Sequence, residues 1–352
     1  MADVLELHRE LVRIPSLSGE ERAVADFVQE YVQARGIPVE RLDDNVYFSL
    51  GEGDDVLFMN THLDVVPPST DHPYGAYDAA EVNGRIYGRG SVDAKASAAA
   101  MTSALLSLAE DNWTPNGRVM VALTTCEETG GDYNGLERLR PHLPPISAAL
   151  VGEPTSLQPC VAQKGLLILN AHATGRAAHA ARAHLGENAI VKAARDVVRL
   201  AYIEFEREDP FLGRPTVTVT TVEGGSARNV VPDRCSFTLD IRSTPAYSHE
   251  ELIEMMENFL ESEVEVHSKR FVPVATDVDS RIVRACMLAA PDAELFGSPT
   301  ASDWIFLNDV PTVKIGPGNS ELSHTAMESI EPEELHRGEV VYRRILQTYF
   351  GL

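Results

Sequence analysis

The chain of 352 residues is predicted to fold as an α/β protein, a mixed sheet covered by helices with an α+β, ferredoxin-like domain inserted into it. Three observations lead there. Short, almost continuously apolar runs alternate with helical patterns as far as residue 165, as strands buried on both faces do. After Lys164-Gly165 the strands become alternating in polarity, and the elements follow the order βαββαβ. From about residue 276 the first kind of signal resumes. Residues 1–165 and 276–352 are therefore assigned to one domain and residues 166–275 to an inserted one.

The elements follow in order. Ser18-Gly19-Glu20-Glu21 has the pattern of a capping box, and Ala23, Val24, Phe27, Val28, Tyr31 and Val32 recur behind it at helical spacing until Gly36. Strands are expected at about 46–50 and 56–60, an alanine-rich helix over 94–109, and buried strands at 119–124 and 148–151. In the insertion, a strand over 166–174 precedes a helix over 188–202, with Ile190, Val191, Ala194, Val197 and Val198 on one face. Strands at 216–222 and 236–242, a helix over 249–260 and a strand over 264–270 complete it. A helix over 279–290, a strand over 310–315 and a helix from Glu333 close the chain.

Composition narrows the function. Hydrophobic residues make up 44%, and no run approaches the ~18 apolar residues of a membrane span. Met1-Ala2-Asp3-Val4 has no basic stretch ahead of an apolar one, so a cytoplasmic location is expected. With 30 basic against 53 acidic residues, the net charge is −23. That charge opposes nucleic acid and anionic membrane surfaces as partners. Cys126, Cys160, Cys235 and Cys286 lack paired metal spacing and read as reduced, mostly buried thiols.

Acid and imidazole side chains stand at the ends of the apolar runs. Val56–Asn60 leads into Thr61-His62-Leu63-Asp64. Gly88-Arg89-Gly90-Ser91-Val92-Asp93 follows. Val119–Thr125 leads into Cys126-Glu127-Glu128, and Ala148–Val151 into Gly152-Glu153-Pro154. Val310–Ile315 leads through Gly316-Pro317-Gly318-Asn319 to Ser323-His324-Thr325. Singly, such a histidine is an ordinary packed side chain and such glutamates a solvated face. Together they form a set of hard donors at the carboxyl ends of strands, where open α/β sheets place their sites.

These motifs, in this order, resemble the M20 metallopeptidases, and the likeness covers nearly the whole chain. The resemblance implies a metal-dependent amide hydrolase with two divalent ions, zinc or cobalt. Asp93 would bridge them, His62 and Glu153 completing one shell and Glu128 and His324 the other. Glu127 would be the general base and Asp64 would orient His62. Such ions, ~3.5–4 Å apart, acidify a water and take up charge on the amide oxygen. The family also has a cis peptide after the bridging aspartate, here Asp93–Ala94.

The insertion carries family marks as well. Gly175-Arg176-Ala177-Ala178-His179 implies that His179 reaches a neighbouring subunit's site and steadies the oxyanion, so that the insertion serves as lid and homodimer contact. The plainer reading is that His179 caps a helix of the insertion. Ala183 stands where relatives usually have proline. In Gly224-Gly225-Ser226-Ala227-Arg228-Asn229-Val230-Val231-Pro232 and Asp240-Ile241-Arg242, the resemblance assigns Asn229 and Arg242 to a substrate carboxylate, which suits the planar guanidinium. Backbone donors around Gly318 would assist them. The alternative for Arg242 is an ordinary strand-end surface arginine. These patterns are most similar to acetylornithine deacetylase, implying release of acetyl or succinyl from the α-nitrogen of ornithine or a close analogue, in arginine biosynthesis. A dipeptidase or aminoacylase, a lysine-biosynthesis hydrolase acting on an acidic carrier protein, and an inactive metal-binding protein are the alternatives. The carrier is disfavoured by charge, and the inactive protein by the retained Glu127.

Overall fold

The computed structural model describes residues 3–129 and 133–351. The chain forms two compact units. One comprises Met1–Val161, Thr276–Phe296 and Ser302–Leu352, and the other Ala162–Ala275 with Gly297–Ala301.

In the first unit, the strands Arg118–Thr124, Val56–His62, Ala148–Val151 and Thr312–Lys314 lie side by side and parallel. Asn45–Gly51 and Val39–Leu42 add antiparallel strands beyond Arg118–Thr124, so the sheet is mixed. Every residue of Val56–His62 and Ala148–Val151 is buried, which requires cover on both faces. The helix Lys95–Glu110 packs against Val56–His62 and Arg118–Thr124, and the helices Val4–Arg13 and Pro332–Tyr349 pack on it in turn. Its alanines, from Ala96 to Ala104, are fully buried, and their small side chains let three backbones approach closely. The expected strand over 310–315 is shorter, Thr312–Lys314. The first helix, Val4–Arg13, lacked a sequence signal strong enough to single out, although Asp3 caps it by accepting from the Leu5 and Glu6 amides at 2.9 and 3.3 Å.

Two local expectations are corrected. The helix Arg22–Gln33 is not closed by a capping box. Glu21 is its N-cap residue without a side-chain bond to it, because Ser18 and Glu21 bond to Asp64 and Cys126 instead. In the second unit, the apolar face foreseen on the helix Ala189–Leu200 is outward. Ile190, Val191 and Val198 are 38%, 46% and 62% exposed. The helix docks through Ala189, Ala193 and Leu200 and through Asp196, which accepts from the Glu261 and Ser262 amides at 3.0 and 2.9 Å.

The second unit is a four-stranded antiparallel sheet in the order Thr216–Gly224, Arg234–Ser243, Gly165–Thr174, Glu263–Phe271. Burial alternates along its two central strands. Leu167, Leu169, Phe237 and Leu239 pack with Leu252 and Met256 of the helix His249–Phe259 into one core. This is the ferredoxin-like arrangement. Among the described residues, no helix is long and apolar enough to cross a membrane.

Candidate metal centre

Parallel strands end at a common edge, and the chain leaving them carries the acid and imidazole groups. His62 is the last residue of its strand and is 1% exposed. Its Nδ1 lies 3.0 Å from the backbone carbonyl of Asp64. That contact puts the ring proton on Nδ1 and leaves a lone pair on Nε2. Nε2 is buried without a hydrogen-bond partner among the described residues. It faces Asp93 Oδ1 at 3.3 Å and Glu153 Oε1 at 3.9 Å. The other oxygen of Asp93, Oδ2, lies 3.6 Å from His324 Nε2, which is 3.0 Å from Glu128 Oε1. Donor atoms of His62, Asp93 and Glu128 fall within 4.8 Å of one another. A buried imidazole lone pair aimed at carboxylate oxygens calls for a cation among them, and nitrogen with carboxylate oxygen is a donor set for divalent ions. The residues fit a metal.

The electrostatics agree. Burial and the neighbouring Asp93 push Glu153 up to about 8. Burial raises Glu127 well above the usual carboxylate range, with Glu153 and Asp303 adding to it against the pull of His62. Burial works to lower His62, but its contacts with Asp64 and Asp93 outweigh that and hold it well above an ordinary histidine, so that a cation entering the cluster displaces a proton from Nε2 to reach its lone pair. His324 is raised by its bond to Glu128. Carboxylates crowded this closely take up protons unless cations replace them.

The loops are fixed by side chains. Glu328, fully buried, accepts from the amides of Gly90, Val92 and Asp93, each at 3.0 Å. Its Oε2 also pairs with Arg89 Nη1 at 2.5 Å, and Arg89 Nη2 donates to the His324 carbonyl at 3.3 Å. One buried ion pair therefore joins the Asp93 turn to the His324 turn. The Asp93–Ala94 peptide is cis. Asp64 was expected to orient His62, and its carbonyl makes the closer contact. Its carboxylate accepts from the Glu127 and Glu128 amides, both at 3.1 Å. Behind Glu153, Gly152 is packed so closely that a Cβ would meet Met101 Cε at 2.7 Å and Ser97 Cβ at 2.8 Å. The Gly316–Gly318 turn presents acceptors. The Gly316 carbonyl takes the Thr155 and Leu157 amides, and the Gly318 carbonyl takes the Ser156 amide at 2.7 Å.

The remaining candidates lie in the second unit. His179 Nδ1 accepts from the Ala181 amide at 3.1 Å, capping the short helix Ala180–Leu185. The Asn229 carbonyl accepts from the Ala180 amide at 2.8 Å. Arg242 is engaged by Asp240 through Nε at 2.8 Å and Nη2 at 3.1 Å.

Three buried carboxylates were not singled out from sequence. Glu328 sits four residues past His324 in an otherwise uncharged stretch. Glu21 was read as part of a helix cap. Asp303 accepts from Asn134 Nδ2 at 2.7 Å and Thr124 Oγ1 at 3.2 Å. Burial raises it to about 6. A lone acid before the apolar Trp304-Ile305-Phe306-Leu307 was its one signal.

A family model described as peptidase family M20/M25/M40 matches residues 58–348. An acetylornithine deacetylase from Myxococcus xanthus is 30% identical over 368 residues, covering 93% of this chain and 92% of that protein. A probable carboxypeptidase from Aspergillus terreus is 29% identical over 392 residues, covering 98% and 86%. A solved tripeptidase from Staphylococcus aureus shares the fold, with a TM-score of 0.82 at 21% identity over 99% of this chain and 98% of that one. With the family model spanning most of the chain and the donor cluster standing at its strand ends, the chain belongs to peptidase family M20/M25/M40 and is a metal-dependent amide hydrolase.

Proposed function

We propose that the chain removes acetyl or succinyl from the α-nitrogen of ornithine or a close analogue, in arginine biosynthesis, as a cytoplasmic homodimer using two zinc or cobalt ions. The observation that carries the hydrolytic part is the pair of imidazoles facing separate oxygens of Asp93, with the raised carboxylate of Glu127 alongside. His62 and Glu153 would hold one ion, Glu128 and His324 the other, and Asp93 would contribute to both. Bound there, the ions supply Lewis acidity toward the amide oxygen and lower the pKa of water. Glu127 accepts the water's proton and delivers it to the leaving nitrogen. Asp64 holds the amides of both glutamates in place.

Asn229 and Arg242 hold the substrate carboxylate, Arg242 through Nη1, which its Asp240 pair leaves over. His179 Nε2, not used in the Ala181 contact, steadies the oxyanion in the partner chain's site. The outward Ile190, Val191 and Val198 support a partner chain, since exposed apolar faces of this kind are covered in assemblies. Cys126, Cys235 and Cys286, buried as thiols, suit a reducing compartment. The identity with the Myxococcus deacetylase supports the acyl-ornithine substrate. Release of a terminal amino acid from a peptide is the second reading, favoured by the Aspergillus relative.

The test is a panel of N-acetyl and N-succinyl derivatives of ornithine, citrulline and diaminopimelate, with dipeptides, at full zinc or cobalt loading. The freed amine is measured. Acyl-ornithine is expected to turn over fastest. Turnover confined to dipeptides would replace the deacylase by the second reading, and no turnover at all would sink both.

A further inference from the structure

Ser18 and Glu21 have the spacing of a helix cap and bond to other partners. Ser18 Oγ donates to Asp64 Oδ2 at 2.7 Å. Glu21 Oε1 accepts from the Cys126 amide at 2.9 Å and from its thiol at 3.3 Å. Glu21 is 2% exposed, and the charged group acting on it most is Asp64, a second carboxylate. Burying an acid beside an acid is unfavourable unless its acceptors are used. Helix capping does not account for the arrangement.

The chain it holds is the one that carries Glu127. Four successive amides there donate to side chains. Thr125 donates to Asn45 Oδ1 at 3.1 Å, Cys126 to Glu21, and Glu127 and Glu128 to the two oxygens of Asp64. Cys126 has φ +57°, a left-handed conformation that a cysteine rarely adopts. It is the residue before Glu127, so its dihedrals set the direction in which Glu127 leaves the strand. A strained residue persists only where its surroundings hold it. Glu21 supplies the bond to that residue's own amide, and Ser18 fixes the carboxylate that holds the next two.

We propose that Glu21 is a positioning residue for Glu127, holding Cys126 in its left-handed turn, and that Ser18 assists through Asp64. This rests on the reading of Glu127 as the general base.

The experiment compares Glu21→Ala, Glu21→Gln and Ser18→Ala in the full-length, metal-loaded enzyme. Misplacement of a reacting group by about 1 Å lowers rates ~10²-fold, so Glu21→Ala is expected to lower kcat by that order with KM and metal content unchanged. Glu21→Gln keeps an oxygen for the Cys126 amide and should restore most of kcat. In the metal-free protein, Cys126 should react with a disulfide reagent faster in Glu21→Ala than in wild type or Glu21→Gln. Wild-type kcat in Glu21→Ala, equal loss in the alanine and glutamine variants, or an unchanged thiol rate overturns the proposal. Should Glu21→Ala fail to fold, Ser18→Ala decides, with a lowered kcat at constant KM supporting and a wild-type kcat overturning. Glu127→Gln is the control. If it keeps full turnover, the base assignment falls; if it is inactive while Glu21→Ala is fully active, only the present inference falls.

Discussion

Glu127 and Glu128 are neighbours whose carboxylates meet different surroundings. Glu128 Oε1 reaches His324 Nε2 at 3.0 Å, whereas burial, with Glu153 and Asp303 beside it, raises the Glu127 carboxyl well above the usual range. A carboxylate whose affinity for a proton is raised in this way is the one suited to take it from water. Glu127→Gln is therefore expected to keep full metal content and lose ~10²–10⁴-fold in kcat, the usual worth of general acid–base catalysis. Glu128→Gln should lose metal, measured by elemental analysis. Identical behaviour of the two variants would end this division of labour. At this scale His62, Glu128 and Glu153 could be singled out because each stands close behind an apolar run, and a buried strand end gives a polar group a defined place. Glu328, Glu21 and Asp303 could not, because what each holds is brought to it only by folding. Glu328 meets amides of residues 90 to 93, far away in sequence.

The helix Val4–Arg13 illustrates the next scale. Two buried groups fasten it to the Asp93 region. His8 Nε2 donates to the Ser91 carbonyl at 2.8 Å, and Lys95 Nζ donates to the Leu11 and Ile14 carbonyls, both at 2.8 Å. Burial pushes His8 down to about 4, against an ordinary 6.5. The unfolded chain therefore binds a proton in that interval that the folded chain refuses. The stability due to neutral His8 is present above pH 6.5 and is lost as pH falls toward 4, by about 3 kcal/mol in all. Urea unfolding at pH 7 and pH 4.5 should lose less stability in His8→Asn than in wild type. Equal losses would remove His8 from the acid response. Helix positions were mostly legible from periodicity. Facing was less so, as the helix Ala189–Leu200 illustrates. Periodicity locates an apolar stripe without saying whether its own chain covers it, and here Asp196 and two alanines dock instead.

For the whole molecule, the order βαββαβ and the return of buried-strand signals near residue 276 pointed to an insertion over 166–275, while contacts group Ala162–Ala275 with Gly297–Ala301, a short segment that no periodicity marks. Which loop ends converge on Asp93 was not legible, since strand order is set by pairing between distant runs. The proposed homodimer has its own test. His179→Ala and Glu127→Ala should each be inactive, with dimerisation retained. A mixed dimer holds one site with an intact base and the partner's intact histidine, so mixing should restore part of the activity. Absence of rescue after subunit exchange has been demonstrated would return His179 to its own chain and leave the metal chemistry standing.

The discontinuity of the first unit has a consequence for synthesis. Ala148–Val151 pairs in parallel with Thr312–Lys314, and the whole of the second unit's main segment, Ala162–Ala275, lies between them. At ~5–20 residues per second, a ribosome leaves that strand without this neighbour for roughly 10–30 s. The inserted unit is complete first and folds while its host waits. The helix Pro332–Tyr349, which packs on both Val4–Arg13 and Lys95–Glu110, emerges later still. A nascent chain stalled before His324 would carry the inserted unit on an unfinished sheet with one of the five proposed donors missing, so the metal centre can assemble only after the insertion has been made.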